Sequence, residues 1–450
     1  MEGLWPIAPE TCPPLGRPAD RSGAEDADAH PPILALTFRS ELLDSRPFDF
    51  FAGNFDLRPG KILIAGAGLG GLAAAACLLK RGFGVRVFEQ APQLGEVGAG
   101  IQQSANSVKV LYDLGLRAAL DEVAVKPRDY EFRRFDTGEL MHKIPFAQAH
   151  EREHGAPYYH LHRADFHRIL VDKVLSLDPG CIALNAKVTG FSENGGGVTL
   201  KFADGSSEKG DVLLGADGIK SAIRAQIHGE MPVHYTGFVA WRFTVPRHKL
   251  PANLMDLVGA VWCGPQNHCV VYWLRRGEVL NFVGCPRRAQ WEDESWTQRR
   301  PWEELKADYA GWHPTIQAIL DSAERNECYR WALNDRKPIR EWSTGRATLL
   351  GDAAHPTLPF LAQGACMAIE DGAVVARALE GAGSVPEALR LYQRARVERC
   401  ARVVTESGAH GGLYHIVDAE EMKKAFAARN IAKERAQWLY NYDPLTVPLH

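Results

Sequence analysis

Nowhere in the 450 residues does an apolar run reach the roughly 18 that a helix needs to cross a bilayer. That absence excludes a membrane-spanning helix. An excess of one charge is also missing: 52 Lys and Arg against 55 Asp and Glu leave a formal net charge of -3. Neither nucleic acid nor an anionic membrane surface is therefore an expected partner. The nine cysteines are scattered, odd in number and contain no C-x-x-C pair. This excludes a disulfide framework and predicts a reduced, cytoplasmic chain. Cys263, His268 and Cys269 fall close together but lack the spacing of four convergent ligands, so no metal is expected. The opening MEGLWPIAPE is neither basic nor apolar, which argues against a secretory signal.

Residues 1–58 are rich in Pro and Asp, lack periodicity and read as a disordered extension or a start-site artefact. No Met follows Met1 until Met141. Regular structure is expected from KILIAGAGLGGLAAAACLLKRGFGVRVFEQ onward. Lys61 to Ala65 reads as a buried strand, Leu69 to Arg81 as a helix stopped by Gly82, and Val85 to Glu89 as a second strand. From 186 to 217 the pattern is a β-meander with turns at ENGGG and ADGS. Strands recur from 237 to 286, with RRGE as a hairpin turn, and helices dominate from 364. The mix predicts an α/β domain in two parts, 59–236 and 342–408, interrupted by a β-rich domain at 237–341. A helical segment, 409–450, closes the chain.

Gly66, Gly68 and Gly71 form a G-x-G-x-x-G between strand and helix, and Glu89 ends the next strand 18 residues later. In that context the glycines allow a tight turn, close approach of the backbone to a pyrophosphate, and close helix packing. The phosphates would sit on the helix N-terminus, and Glu89 would accept hydrogen bonds from a ribose. The motif itself fits NAD and FAD equally. GDVLLGADGIKSAIR at 210–224 and LLGDAAHP at 349–356 add two strands that run into Asp217-Gly218 and Gly351-Asp352. A helix then begins at Gln363-Gly364-Ala365 with no Ser, Thr or Asp to cap it.

These three segments, in this order, resemble the single-component FAD-dependent aromatic hydroxylases, the group that contains p-hydroxybenzoate hydroxylase. The match spans about 59 to 442 and is nearest to salicylate hydroxylase and 3-hydroxybenzoate 6-hydroxylase. The resemblance implies a Rossmann-like FAD-binding domain with an interleaved substrate domain. The loop Gly66 to Gly71, including Leu69 and Gly70, would hold the ADP half of FAD. Asp217-Gly218 would serve FAD and NAD(P)H, and Asp352 the ribityl chain. HLHRADFHRIL at 160–170 resembles the family's HR-x-x-L helix, which directs Arg163 at the flavin; Phe166 stands where Leu is commoner. The open helix start at Gly364-Ala365 would face the flavin ring, where reduction places negative charge.

The resemblance also implies an NADH- or NADPH-fed monooxygenase in which reduced flavin and dioxygen give a C4a-hydroperoxide. Its substrate would be a small aromatic acid, salicylate-like first and 3-hydroxybenzoate- or hydroxypyridine-like second. A flavin dehydrogenase or oxidase, and a non-enzymatic redox module, are the other classes open to this fold; the chain would act as monomer or homodimer. A phenol needs help to lose its proton at pH 7, because its pKa lies near 10. In NHCVVYWLRRGEVLNFVG, His268 and Tyr272 share a strand face about 13 Å apart. From pattern alone both are ordinary strand residues; the resemblance favours a base or proton relay at His268 and an orienting or deprotonating group at Tyr272. It puts Gln102 and Pro359 beside the substrate. Arg242, on the face opposite Trp241, is either a carboxylate partner or an exposed edge residue. His355 reads as a structural partner of the turn at Pro356.

Overall fold

Five short strands carry almost continuous apolar sequence because the sheet they build is covered by helices and, through contacts such as Phe88 with Phe202, by a three-stranded sheet. In the computed structural model, which describes residues 60–449 except 96–98, 291–297, 430–432 and 434–435, they run parallel. Their order is Ala347–Leu349, Val212–Gly215, Ile62–Ala65, Val85–Phe88, Ile182–Ala183. The extension expected at 1–58 lies outside the described residues. The helix Leu69–Lys80 follows the first strand, and its Ala-rich surface admits a close neighbour, the helix Gly364–Gly381. A Cβ on Gly372 would lie 2.7 Å from the backbone nitrogen of Ala74, so only glycine allows that approach.

A second sheet has seven strands, in the order Tyr329–Asp335, His234–Pro246, Val279–Gly284, Asn267–Leu274, Gly259–Gly264, Asp129–Arg134, Leu140–Pro145. The expected RRGE hairpin is present, with Arg275, Arg276 and Gly277 all at positive φ. Two strands come from 129–145, upstream of the β-rich segment marked out by sequence. Asp129–Arg134 joins this sheet by parallel pairing with Gly259–Gly264, a long-range contact with no local signature. The expected meander is a three-stranded antiparallel sheet, Val188–Asn194, Gly197–Phe202 and Ser207–Gly210, and the next strand departs for the parallel sheet.

Strand alternation gives the seven-stranded sheet two different faces. Trp241, Phe243, Cys269, Val271 and Trp273 turn to a core shared with Tyr309, Trp312 and the helix Pro314–Asp321. Arg242, His268, Val270 and Tyr272 turn the other way, to a cavity that also reaches the ends of the parallel strands. Trp241 and Arg242 therefore take opposite faces, as alternation requires. Their strand lies inside the sheet, between two neighbours, so Arg242 is not an edge residue. Among the described residues, no helix is long and apolar enough to cross a membrane.

Candidate active site

The cavity has a volume of about 360 Å³. One wall begins with the glycine loop. Gly66 takes φ +101, and a Cβ there would press to 2.5 Å from the Ala216 carbonyl oxygen. A Cβ on Gly71 would sit 2.1 Å from the Gly66 oxygen. Both positions shape the turn from behind and lie outside the cavity wall. Gly68, Leu69 and Gly70 form the wall itself, and a Cβ on Gly68 would meet no protein atom within 4 Å. That open space beside a helix N-terminus without a side-chain cap fits a pyrophosphate group. Glu89 also stays behind the wall, accepting hydrogen bonds from the N–H groups of Ala67 and Ala91, both at 2.9 Å.

The helix Gly364–Gly381 begins on the same cavity, at Gly364 and Ala365, again without a side-chain cap. The preceding Gln363 turns its amide inward, donating to Ser104 Oγ at 2.9 Å and accepting from Asn106 at 3.0 Å. The first-turn N–H groups are thus left facing a space with Gly351, Asp352, Gly218 and Arg163 around it. Asp217 is set back: its carboxylate accepts from the Ile223 N–H at 3.2 Å, and burial raises its pKa. Arg224 ties this turn to the next, donating to the Ala353 carbonyl at 2.9 Å. These groups fit the phosphates, ribityl chain and ring of a flavin dinucleotide.

On the opposite wall stand the polar side chains of the seven-stranded sheet. His268 is 1% exposed. Its Nδ1 meets His415 Nε2 at 3.1 Å, while its Nε2 has no hydrogen-bond partner among the described residues. Burial, and secondarily His415, hold its pKa well below the ordinary histidine value, so the ring is neutral at pH 7. Burial raises the Tyr272 pKa against the opposing pull of Arg242, so the phenol keeps its proton. The Tyr272 ring fills the space beside Gly100, where any Cβ would meet its hydroxyl at 2.6 Å. Arg242 holds its guanidinium 5.1 Å from the Trp331 ring centroid, and its Nε has no hydrogen-bond partner. Burial lowers its pKa, with no carboxylate among the groups acting on it. Gln102 accepts a hydrogen bond from Tyr158 and lines the cavity, as does Pro359, which opens a short helical turn to Leu361.

His355 takes the structural position expected. Its Nε2 lies 2.6 Å from Asp371 Oδ2 in a fully enclosed ion pair, and Asp371 also receives Arg396 Nε at 2.8 Å. Cys400 approaches the same cluster, but Arg396 already occupies the cationic place beside the carboxylate. A metal there would compete with that guanidinium.

The cavity gathers side chains that no local pattern marks. Phe360 and Tyr414 close one end beside His268, with ring centroids 5.0 and 4.9 Å from the imidazole. Tyr414 and His415 belong to a short turn, Gly411–His415, within the C-terminal segment. The glycine pair ahead of them is the one sequence signal: a Cβ on Gly411 would lie 2.8 Å from the Phe360 ring.

A family model described as "FAD binding domain" matches residues 60–407. Among curated proteins the chain is similar to 6-hydroxynicotinate 3-monooxygenase of Pseudomonas fluorescens, 36% identical over 86% of this chain and 96% of that protein. It is also similar to 3-hydroxybenzoate 6-hydroxylase of Polaromonas naphthalenivorans (strain CJ2), 37% identical over 85% and 96%. Among solved structures, Klebsiella pneumoniae HpxO with FAD and uric acid superposes at a TM-score of 0.76, with 27% identity over 86% and 98% of the chains. A salicylate hydroxylase substrate complex superposes at 0.72, with 27% identity over 87% and 99%.

Proposed function

The chain belongs to the FAD binding domain family, and from that premise we propose that it is an NAD(P)H-dependent monooxygenase that hydroxylates a small hydroxylated aromatic acid. The observation that carries this is one cavity with two uncapped helix starts on one wall and Arg242, Tyr272 and His268 on the other. Bound FAD would supply the electron transfer from NAD(P)H and the activation of dioxygen. The glycine loop would hold its phosphates, with Glu89 bracing that loop from behind, and Asp352 and Arg163 its ribityl chain and ring.

The chain's own contribution is substrate chemistry. Arg242, a half-buried cation with an unsatisfied Nε, would take the acid's carboxylate. Tyr272, held protonated, would donate to the ring oxygen and orient it. His268 Nε2 would accept the phenol proton, which makes the ring electron-rich. The enclosure of these groups keeps water from the reacting carbon.

Arg242→Met is expected to keep FAD and to raise KM for the acid about 30-fold or more, since losing one partner of an enclosed charge pair costs ~2 kcal/mol or more. The amide analogue of the acid should bind both proteins equally. An unchanged KM would remove Arg242 from substrate recognition.

The decisive test is NADH and NADPH consumption, with oxygen uptake, by the FAD-bound protein across a panel of acids. The two curated relatives act, by name, on 3-hydroxybenzoate and 6-hydroxynicotinate, so both join salicylate in that panel. The expected result is one acid that speeds oxidation and gains one oxygen atom. Hydrogen peroxide as the sole product with every acid would reject the assignment.

A further inference from the structure

We propose that Asn106 is a positioning residue for the flavin: by holding the Gln363 amide, it keeps the start of the helix Gly364–Gly381 uncapped for the cofactor. The inference rests on the reading that seats the flavin ring at Gly364 and Ala365. Gln363 occupies the N-cap position of this helix, yet its side chain accepts no hydrogen bond from the first turn. Its amide oxygen is chemically able to do so. That oxygen, Oε1, instead accepts from Asn106 Nδ2 at 3.0 Å.

The direction of every bond in this cluster follows from one carboxylate. Glu370 meets Arg396 at 2.6 Å and Arg399 at 2.7 Å, so it is ionised and can only accept. Asn106 must therefore turn its Nδ2 towards Glu370, at 2.5 Å, and the second hydrogen of that nitrogen goes to Gln363 Oε1. On its other side, Asn106 Oδ1 accepts from Ser104 Oγ at 2.5 Å. Ser104 Oγ in turn accepts from Gln363 Nε2 at 2.9 Å. The ring of bonds closes with Gln363 Oε1 committed to Asn106. All four side chains are buried, so a lost bond leaves an enclosed polar group in need of a new partner.

Helix stability alone would favour a different arrangement. Ser104 is the N-cap of the helix Ala105–Asp113, and its hydroxyl likewise caps nothing, although serine is among the best capping residues. Two helix starts thus give up a side-chain cap to one shared cluster. The gain lies at the cavity, where Gly364 and Ala365 form part of the wall. Open N–H groups at the positive end of an 18-residue helix favour the anionic, reduced flavin over the neutral, oxidised one. A Gln363 cap on those groups would remove part of that preference. Asn106 lies behind the wall and acts through Gln363.

The test measures the two-electron midpoint potential of FAD bound to the protein, by equilibration with a reference dye. Asn106→Leu, similar in size but unable to hydrogen-bond, releases Gln363 Oε1. It is expected to bind reduced FAD about tenfold less tightly relative to oxidised FAD, a potential ~30 mV lower. Gln363→Asn, which puts a short capping side chain at the helix start, should cause the same fall with Asn106 in place. Adding Gln363→Ala to Asn106→Leu removes the competing oxygen and should restore the wild-type potential. A structural role for Asn106 gives no such rescue, so a double variant that stays low would overturn the proposal. An unchanged potential in Asn106→Leu beside a lowered one in Gln363→Asn would also overturn it, and would leave the seat of the ring standing. Unchanged potentials in both would instead overturn the seat of the ring, and the proposal with it. FAD content reports the folding of each variant. If Asn106→Leu loses FAD, Asn106→Ser, too short to reach Gln363, takes its place with the same outcomes.

Discussion

His268→Ala is expected to retain its FAD and to lose product formation by about 10²-fold or more, the usual contribution of a positioned acid or base. The residue lies 1% exposed on the cavity wall, across from the glycine loop and the helix starts, so cofactor binding has little to lose. NAD(P)H oxidation should continue while its electrons go to hydrogen peroxide, and product formed per NAD(P)H is the quantity to measure. The sign of the pH dependence follows from the lowered pKa. A neutral His268 is present from alkaline pH down to well below the ordinary histidine value. Wild-type activity should accordingly not fall at pH 6 to 7 through protonation of this ring. Full coupling in the alanine variant would exclude His268 from the chemistry.

The largest stability effect is expected at a residue remote from the cavity wall, Arg396. It is fully buried between two carboxylates, with Nη1 at 2.6 Å from Glu370 and Nε at 2.8 Å from Asp371. Arg399 gives Glu370 a second cation at 2.7 Å, and Asn106 adds a hydrogen bond. Burial alone would raise both acids, but Arg399 and Arg396 hold Glu370 down to about 2, and His355 and Arg396 hold Asp371 down to about 2. Arg396→Met leaves two enclosed carboxylates short of a cation, which costs about 3–5 kcal/mol for a broken buried pair. Both acids have folded pKa values below their unfolded values near 4. Their contribution is complete above that range and is lost as pH falls through it towards 2. The gap between variant and wild type, measured by denaturant unfolding, should be full at pH 7 and shrink below pH 4. A gap that stays constant with pH would mean that Arg396 acts through packing.

The parts of this architecture that were legible in sequence are those written in neighbouring residues. Gly66, Gly68 and Gly71 lie within one turn, and strand alternation alone puts His268, Val270 and Tyr272 on one wall. The missing cap at Gly364 was equally visible, because a cap is a local event. Sheet order is not local. Arg242 reads as readily as an edge residue until Tyr329–Asp335 pairs beside it, and Asp129–Arg134 carries no mark of its distant parallel partner. Tyr414 and His415 sit in a five-residue turn too short for any periodicity, and they reach His268 across 147 residues of sequence. Glu89 and Asp217 were recognisable by position, but their hydrogen bonds to Ala67, Ala91 and Ile223 depend on the folded turns.

The parallel sheet takes its strands from both halves of the chain: Ile62–Ala65 pairs with Val212–Gly215, which pairs with Ala347–Leu349. Ile62–Ala65 also pairs with the nearby Val85–Phe88, but the sheet is completed only when some 280 further residues have emerged, on the order of 15–60 s at ordinary elongation rates. The seven-stranded sheet likewise gains its edge strand, Tyr329–Asp335, only after some 200 residues have followed its first. A nascent chain stopped anywhere before residue 350 exposes apolar strand edges with no partner. Completion of both sheets is thus a late event in synthesis, and recombinant yield should rise with chaperone supply and slower, cooler expression.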